Sequence, residues 1–63
     1  MYSKIKTVDF DRITLDSGDT YKVEKHGDLF MWSPGDSVEV SGITGDVSIK
    51  NTTRFKTVKA RRW

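Results

Sequence analysis

The chain of 63 residues contains no cysteine, one proline and one histidine. Without cysteine, disulfide bonds, thiolate nucleophiles and zinc–cysteine sites are excluded. No apolar run approaches the roughly 18 residues of a membrane-spanning helix, and no apolar segment follows the first lysines as it would in a signal peptide. We therefore expect a cytoplasmic protein without disulfides, in which residues 1–63 form one small domain.

Residues suited to catalysis or to metal binding are also scarce. His26 is followed by Gly27 and Asp28, which predict an exposed loop, and no second histidine or cysteine can complete a catalytic pair. Asp16 and Asp19 supply at most two ligands, fewer than a calcium loop needs, and aspartates are common turn formers. We expect a protein that is not an enzyme and that has no metal and no cofactor.

The residues that are present favour strands. Valine, isoleucine, threonine and aromatic residues outnumber alanine and leucine, and turn signals recur about every 8–12 residues, as in small sandwiches and barrels. We predict an all-β antiparallel barrel, SH3-like or OB-like, in which closure hides the sheet edges. Its five or six strands are drawn from Lys4–Val8, Arg12–Leu15, Thr20–Glu24, Ser37–Ser41, Val47–Ile49 and Phe55–Ala60.

Two strands have apolar residues of mismatched parity. Ile5 and Val8 would point to opposite faces of a regular strand, which predicts a β-bulge or a strong twist in the first strand. Phe55 and Val58 show the same mismatch, so we expect a second irregularity in the last strand. Between the second and third strands, Gly18 is expected to have a positive φ because the chain reverses within four residues.

The connection before the fourth strand carries a solid apolar block, Leu29–Trp32. The block is either one helical turn that closes an end of the barrel or a short strand buried on both faces. Asp36, after Pro34 and Gly35, is expected to be a turn residue whose carboxylate accepts hydrogen bonds from nearby backbone amides. Core packing explains four aromatic residues: Tyr21, Phe30, Trp32 and Phe55.

Over residues 12–60 these features resemble a group of small bacterial β-barrel proteins of unassigned function. The resemblance rests on core positions and turn glycines, in the patterns Ile13-x-Leu15-x-x-Gly18-x-x-Tyr21-x-Val23, Trp32-x-x-Gly35-Asp36-x-Val38-x-Val40 and Ile49-x-Asn51. This chain departs from the group at Ser17, where an aspartate is expected directly before the glycine. The resemblance implies a small barrel and offers no catalytic residues.

The charge distribution gives the main functional hypothesis. Residues 50–63 carry six of the eleven bases and none of the nine acids. Single-strand nucleic-acid binders combine a basic groove with aromatic platforms. The groove residues would be Lys50, Arg54, Lys56, Lys59, Arg61 and Arg62, and the platforms Phe10, Trp63 and Tyr2.

Other interpretations of the same residues stay open. We expect a non-catalytic binding module for single-stranded nucleic acid or for an acidic protein surface. The alternative is a structural or assembly protein that uses a strand edge or the Leu29–Trp32 block for protein contacts. The basic residues could also simply keep a terminal strand soluble and guard its edge against pairing.

Overall fold

The computed structural model describes residues 2–42 and 45–63, without the side chains of His26 and Asp28. Gly42 and Gly45 flank Ile43 and Thr44, a pattern that predicts a turn. This turn and the exposure predicted for His26 lie outside the described residues. A short 3₁₀ helix, His26–Leu29, lies between the third and fourth strands. The strands are β1 Tyr2–Val8, β2 Arg12–Leu15, β3 Thr20–Val23, β4 Ser37–Ser41, β5 Asp46–Asn51 and β6 Lys56–Arg62.

The six strands form a closed antiparallel barrel in the order β1-β2-β3-β6-β5-β4. Each of the described strands has a neighbour on both sides. β1 closes the barrel, because it pairs with β4 through Tyr2–Lys4 and with β2 from Ile5 onward. The all-β barrel prediction is confirmed. Within the described part of the chain, no helix is long and apolar enough to cross a membrane.

Alternate strand residues point into the barrel and form one core. The strand members of this core are Ile5, Ile13, Leu15, Tyr21, Val23, Val38, Val40, Ile49, Val58 and Ala60. Leu29 and Trp32 join them from the connection between β3 and β4, each only 5% exposed. The core therefore follows the period-2 alternation of the strands, and the two connection residues complete it.

The bulge predicted in the first strand is confirmed. Ile5 is paired with Leu15, but the next pair joins Thr7 with Thr14, so one extra residue of β1 lies between them. The bulge allows Ile5 to face the core, where it is 2% exposed. It also falls where β1 changes partner from β4 to β2, which is where a closing barrel has to bend.

The second irregularity, predicted in the last strand, is wrong. β6 begins at Lys56 and pairs with β5 without interruption from Asn51↔Lys56 to Asp46↔Arg61. Phe55 precedes the strand, in the turn 52–55, with φ +57°. The parity mismatch with Val58 arises because Phe55 does not belong to the strand.

Two of the four aromatic residues assigned to the core are exposed. Tyr21 and Trp32 are buried as predicted, but Phe30 and Phe55 are each 86% exposed. In the Leu29–Trp32 block, the helical-turn alternative is confirmed: the amide of Trp32 donates to the carbonyl of Leu29 at 3.0 Å. A helical turn directs its side chains in different directions, so Leu29 and Trp32 enter the core while Phe30 and Met31 face solvent.

The hairpin between β2 and β3 has the predicted turn. Gly18 has φ +96°, and its amide donates to the carbonyl of Leu15 at 2.9 Å. Leu15 in turn donates to the carbonyl of Asp19 at 2.9 Å. The positive φ that glycine adopts without steric penalty is what reverses the chain here.

The strand directions assign each connection to one end of the barrel. Because all pairs are antiparallel, the β1–β2 connection, the β3–β4 connection with its 3₁₀ helix, and the turn 52–55 share one end. This end is called the capped end below. The β2–β3 turn lies at the opposite end, together with Tyr2 and Trp63.

Candidate nucleic-acid interface

The six bases of the C-terminal stretch are divided among three places. Lys50, Lys59 and Arg61 lie on the outer surface, since they alternate with the inward residues of β5 and β6. Arg54 and Lys56 lie at the capped end. Arg62 lies at the opposite end over Tyr21, with its Nη2 3.4 Å from the tyrosine hydroxyl. They do not form one continuous stripe.

A row of cations crosses three strands on the outer surface. Arg12 of β2 is paired directly with Lys22 of β3, and Lys22 is paired directly with Arg61 of β6. Asp46 of β5 ends the row, and its Oδ1 lies 3.1 Å from Nε of Arg61. Both of these side chains are about three-quarters exposed, so this pair contributes little to stability. At the other end of the row, Nε of Arg12 lies 3.8 Å from Oδ1 of Asp11. Like charges directly opposite one another destabilise a sheet, and these two ion pairs leave Lys22 between two arginines.

Trp63 is docked beside this row. Its amide donates to the carbonyl of Thr20 at 3.0 Å, which continues the pairing of β6 with β3 past the strand end. The guanidinium carbon of Arg12 lies 4.1 Å from the indole ring centroid, and Nζ of Lys22 lies 5.5 Å from it. The ring keeps 63% exposure. Cation–π contacts therefore hold an exposed aromatic surface among positive charges.

A groove of about 690 Å³ runs along the same strands. Val23, Val47 and Ala60 are among its apolar lining residues, and its basic lining residues are Lys22, Lys59 and Arg61. Two acids, Glu24 and Asp46, also line it. We call the five residues Arg12, Lys22, Lys59, Arg61 and Trp63 the basic face.

The other residues predicted for the site lie apart from the groove lining. Lys50 is on the outer surface but is paired directly with Glu39 of β4. Phe10 is 74% exposed in the β1–β2 connection at the capped end. Arg12 and Lys22 were missed, because nothing in the local sequence indicates that β3 lies beside β6.

Arg54 belongs to a partly buried polar network at the capped end. The carboxylate of Asp36, 7% exposed, accepts hydrogen bonds through Oδ2 from Nε of Arg54 at 2.9 Å, from Nδ2 of Asn51 at 3.0 Å and from the amide of Ser33 at 3.1 Å. The backbone bond predicted for Asp36 is confirmed. The two side-chain donors were not predicted, although Asn51 within the I-x-N pattern was the available signal.

The network lowers the pKa of Asp36. Burial alone would raise the pKa of this carboxyl, but the hydrogen bonds from Asn51, Ser33 and Arg54, together with the charge of Arg54, outweigh burial and hold it below its usual value. Asn51 also shapes the next turn, because its Oδ1 accepts hydrogen bonds from the amides of Thr53 and Arg54, both at 3.0 Å. Asp36 and Asn51 thus fix the turn 52–55.

A second groove, of about 500 Å³, lies at the capped end beside this network. Its lining includes three largely exposed apolar side chains, Phe30, Met31 and Phe55, which are 86%, 59% and 86% exposed. Trp32, Thr53, Arg54 and Lys56 line it as well. We call this surface the apolar groove.

Phe55 has an unfavourable backbone conformation, which gives a first prediction. A bulky residue with φ +57° is an outlier, whereas asparagine tolerates the left-handed region. We expect Phe55→Asn to raise the free energy of unfolding by about 0.5–1 kcal/mol, because it relieves strain and removes no buried contact. Urea denaturation measures the change. A clear loss of stability would mean that Phe55 packs in solution.

No arrangement for metal binding is found in the described part of the chain. Groups of three or more His, Cys, Asp or Glu residues close enough to hold a metal ion do not occur among the described residues. Comparison with known protein families, with curated proteins and with solved structures finds no match. The two surfaces, the basic face and the apolar groove, are the candidate binding sites of the described residues.

Proposed function

We propose that this barrel is a non-catalytic module that binds single-stranded nucleic acid on its basic face. The observation that carries the proposal is the row Arg12, Lys22 and Arg61, three cations at directly paired positions beside the exposed ring of Trp63. Such a row destabilises the sheet by repulsion and is favourable when phosphates lie against it. A phosphate backbone supplies negative charge along the whole row, in addition to the two carboxylates, Asp11 and Asp46, that pair with its ends.

The aromatic ring favours nucleic acid over an acidic protein surface. Every base has a π-face, and stacking on an aromatic side chain contributes about 1–3 kcal/mol per base. Trp63 is anchored by its backbone bond to Thr20, so its position is already fixed before binding. An acidic protein would engage the cations without needing this ring.

The barrel type and its location belong to the same proposal. We infer an SH3-like or OB-like barrel that acts in the cytoplasm, in line with the resemblance to small bacterial barrels. OB-folds bind oligonucleotides on the surface of their sheet. The basic face, built on β2, β3 and β6, uses a sheet surface in the same way.

A salt titration against a labelled single-stranded oligonucleotide tests the proposal. With Arg12, Lys22, Lys59 and Arg61 engaged, the slope of log affinity against log salt concentration is expected near about −3, since each contact contributes about −0.7. Trp63→Ala is expected to weaken binding by about 1–3 kcal/mol. Lys22→Glu combined with Arg61→Glu is expected to abolish binding and to leave the barrel folded, because neither side chain is buried.

The matched control reverses the same number of charges elsewhere. Lys4→Glu combined with Lys6→Glu changes two exposed lysines of β1 that lie outside the basic face. This variant should keep most of the wild-type affinity for the oligonucleotide. Equal losses in the two double variants would show that only net charge matters. That result, or no binding by the wild type at low salt, would overturn the proposal.

A further inference from the structure

Two acids line the groove that runs along the basic face, and only one of them is paired with a base. Asp46 pairs with Arg61 at 3.1 Å. Glu24, which also lines the groove, is exposed, and it forms no ion pair or side-chain hydrogen bond with another described residue. The groove therefore holds one unpaired carboxylate among the bases Lys22, Lys59 and Arg61.

Glu24 has a defined position on the outer surface of the sheet. Its amide donates to the carbonyl of Lys59 at 3.0 Å, which continues the pairing of β3 with β6 one residue past the end of β3. Because side chains alternate along a strand, Glu24 points to the same side as Lys22, two residues earlier. Opposite charges at facing positions can stabilise a sheet, but Glu24 and Lys59 do not form an ion pair. A cross-strand ion pair therefore does not account for an acid at this position.

A carboxylate in this groove restricts which part of a bound strand can lie beside it. It repels phosphates, which the basic face attracts. It accepts hydrogen bonds and has none to donate, so it suits N–H groups, which in nucleic acids belong to the bases. Glu24 is therefore suited to contact the edge of a base, whereas the neighbouring lysines and Arg61 are suited to phosphates.

Among the four bases of DNA, guanine matches a carboxylate best. Its Watson–Crick edge, which is free in a single strand, presents two adjacent donors, the N1–H and the N2 amino group, and a carboxylate can accept both in a bidentate pair. Cytosine and adenine present one amino donor next to a ring-nitrogen acceptor, and thymine presents one N–H between two carbonyl groups. In these three bases an acceptor faces the second carboxylate oxygen and repels it.

We propose that the carboxylate of Glu24 selects guanine in a single strand bound on the basic face; this selection rests on the function proposed above. The N1–H and the N2 amino group of guanine donate to the two carboxylate oxygens, and the cations of the row hold the neighbouring phosphates. Trp63 lies level with Thr20, four residues before Glu24, so their backbone positions are about 13 Å apart along β3. The guanine is therefore a different nucleotide from the base that stacks on Trp63.

The experiment compares oligonucleotides of one length by competition in fluorescence anisotropy. The reference is a short oligothymidylate, and the competitors carry a single central guanine, inosine, cytosine or adenine in the same sequence. We expect the guanine oligonucleotide to bind the wild type about five- to tenfold more tightly than the reference, at the low end of the discrimination that a bidentate pair provides. Inosine lacks the N2 amino group and should lose most of this preference.

Variants assign the preference to the Glu24 carboxylate. Glu24→Gln keeps the size of the side chain and removes its charge, so it should lose most of the preference for guanine. Asp46→Asn is the matched control, because it removes the other groove acid, which is paired with Arg61, and it should keep the preference. Trp63→Ala should weaken binding of the guanine and thymine oligonucleotides by the same factor. Glu24 and Asp46 are both exposed, and folding of the variants is checked by circular dichroism.

Three results would overturn the selection of guanine by Glu24 and leave the proposed function in place. The first is salt-dependent binding of all the oligonucleotides by the wild type with equal affinity. The second is a guanine preference that survives in Glu24→Gln. The third is an equal loss of the preference in Glu24→Gln and Asp46→Asn, which would show that the net charge of the groove determines it. No binding of any oligonucleotide by the wild type at low salt would instead overturn both proposals.

Discussion

Asp36→Ala is expected to lower the free energy of unfolding by about 3 kcal/mol. The substitution leaves the amide of Ser33, Nδ2 of Asn51 and Nε of Arg54 without their shared acceptor. Asn51 is 0% exposed, so water does not replace the lost bond at its amide group without rearrangement. A domain of this size has only about 5 kcal/mol of stability or somewhat more, so the substitution removes roughly half of it.

Urea denaturation followed by tryptophan fluorescence measures this loss. Asp46→Ala is the matched control, because Asp46 also accepts a hydrogen bond from an arginine Nε, at 3.1 Å, but both partners are exposed. An exposed pair contributes at most about 1 kcal/mol, so the control should shift the midpoint only slightly. Similar shifts in the two variants would show that the network does not stabilise the barrel.

The same network makes stability depend on pH in the acidic range. The pKa of Asp36 is lower in the folded state than its usual value, so the unfolded chain binds the proton more tightly. The stabilisation that the Asp36 carboxylate contributes is present in full above the usual pKa of about 3.9. It is lost as the pH falls through the lower pKa that this carboxyl has in the folded state. Asp36→Asn removes this titration, and its stability should fall less than that of the wild type between about pH 5 and pH 2.

The core could be predicted from the sequence because local alternation determines it. Ile13 is paired with Tyr21 across a hairpin whose turn is marked by Gly18. Leu15 and Val23 point to the same inner face, and all four are buried. Period-2 alternation and turn chemistry act over a few residues, so they can be recognised without knowledge of the fold. Phe55 was misassigned for the same reason: an aromatic residue next to a strand looks like its first member until the turn geometry is known.

The sites could not be predicted to the same extent, because they depend on long-range contacts. Arg12 and Lys22 join the basic face only because β3 lies beside β6, although Lys22 and Arg61 are far apart in sequence. Asp36 and Asn51 lie close together because β4 begins and β5 ends at the capped end. The basic C-terminal stretch was visible, but β6 sends its bases to opposite sides of the sheet, since side chains alternate along a strand.

The capped end combines two properties that usually conflict. Its polar network and the buried pair Leu29 and Trp32 stabilise the barrel, while Phe30, Met31 and Phe55 beside them expose apolar surface. Stability alone would favour polar residues at the exposed positions. Residues that break a local rule without a gain in stability are expected at functional sites.

Trp32→Ala is expected to lower the free energy of unfolding by about 3–5 kcal/mol, enough to unfold the domain. Trp32 is 5% exposed and is one of two core residues contributed by a connection. Its indole N–H is buried without an acceptor among the described residues.

Trp32→Phe separates the two contributions of this side chain to stability, its packing in the core and its indole N–H. The substitution keeps an aromatic ring in the core and removes only the indole N–H and part of the volume. If packing dominates, Trp32→Phe should lower the free energy of unfolding by less than about 1.5 kcal/mol, and the alanine variant should lose far more. Thermal unfolding followed by circular dichroism measures both variants without depending on tryptophan fluorescence. Equal losses would instead show that the indole N–H makes a hydrogen bond essential to the capped end.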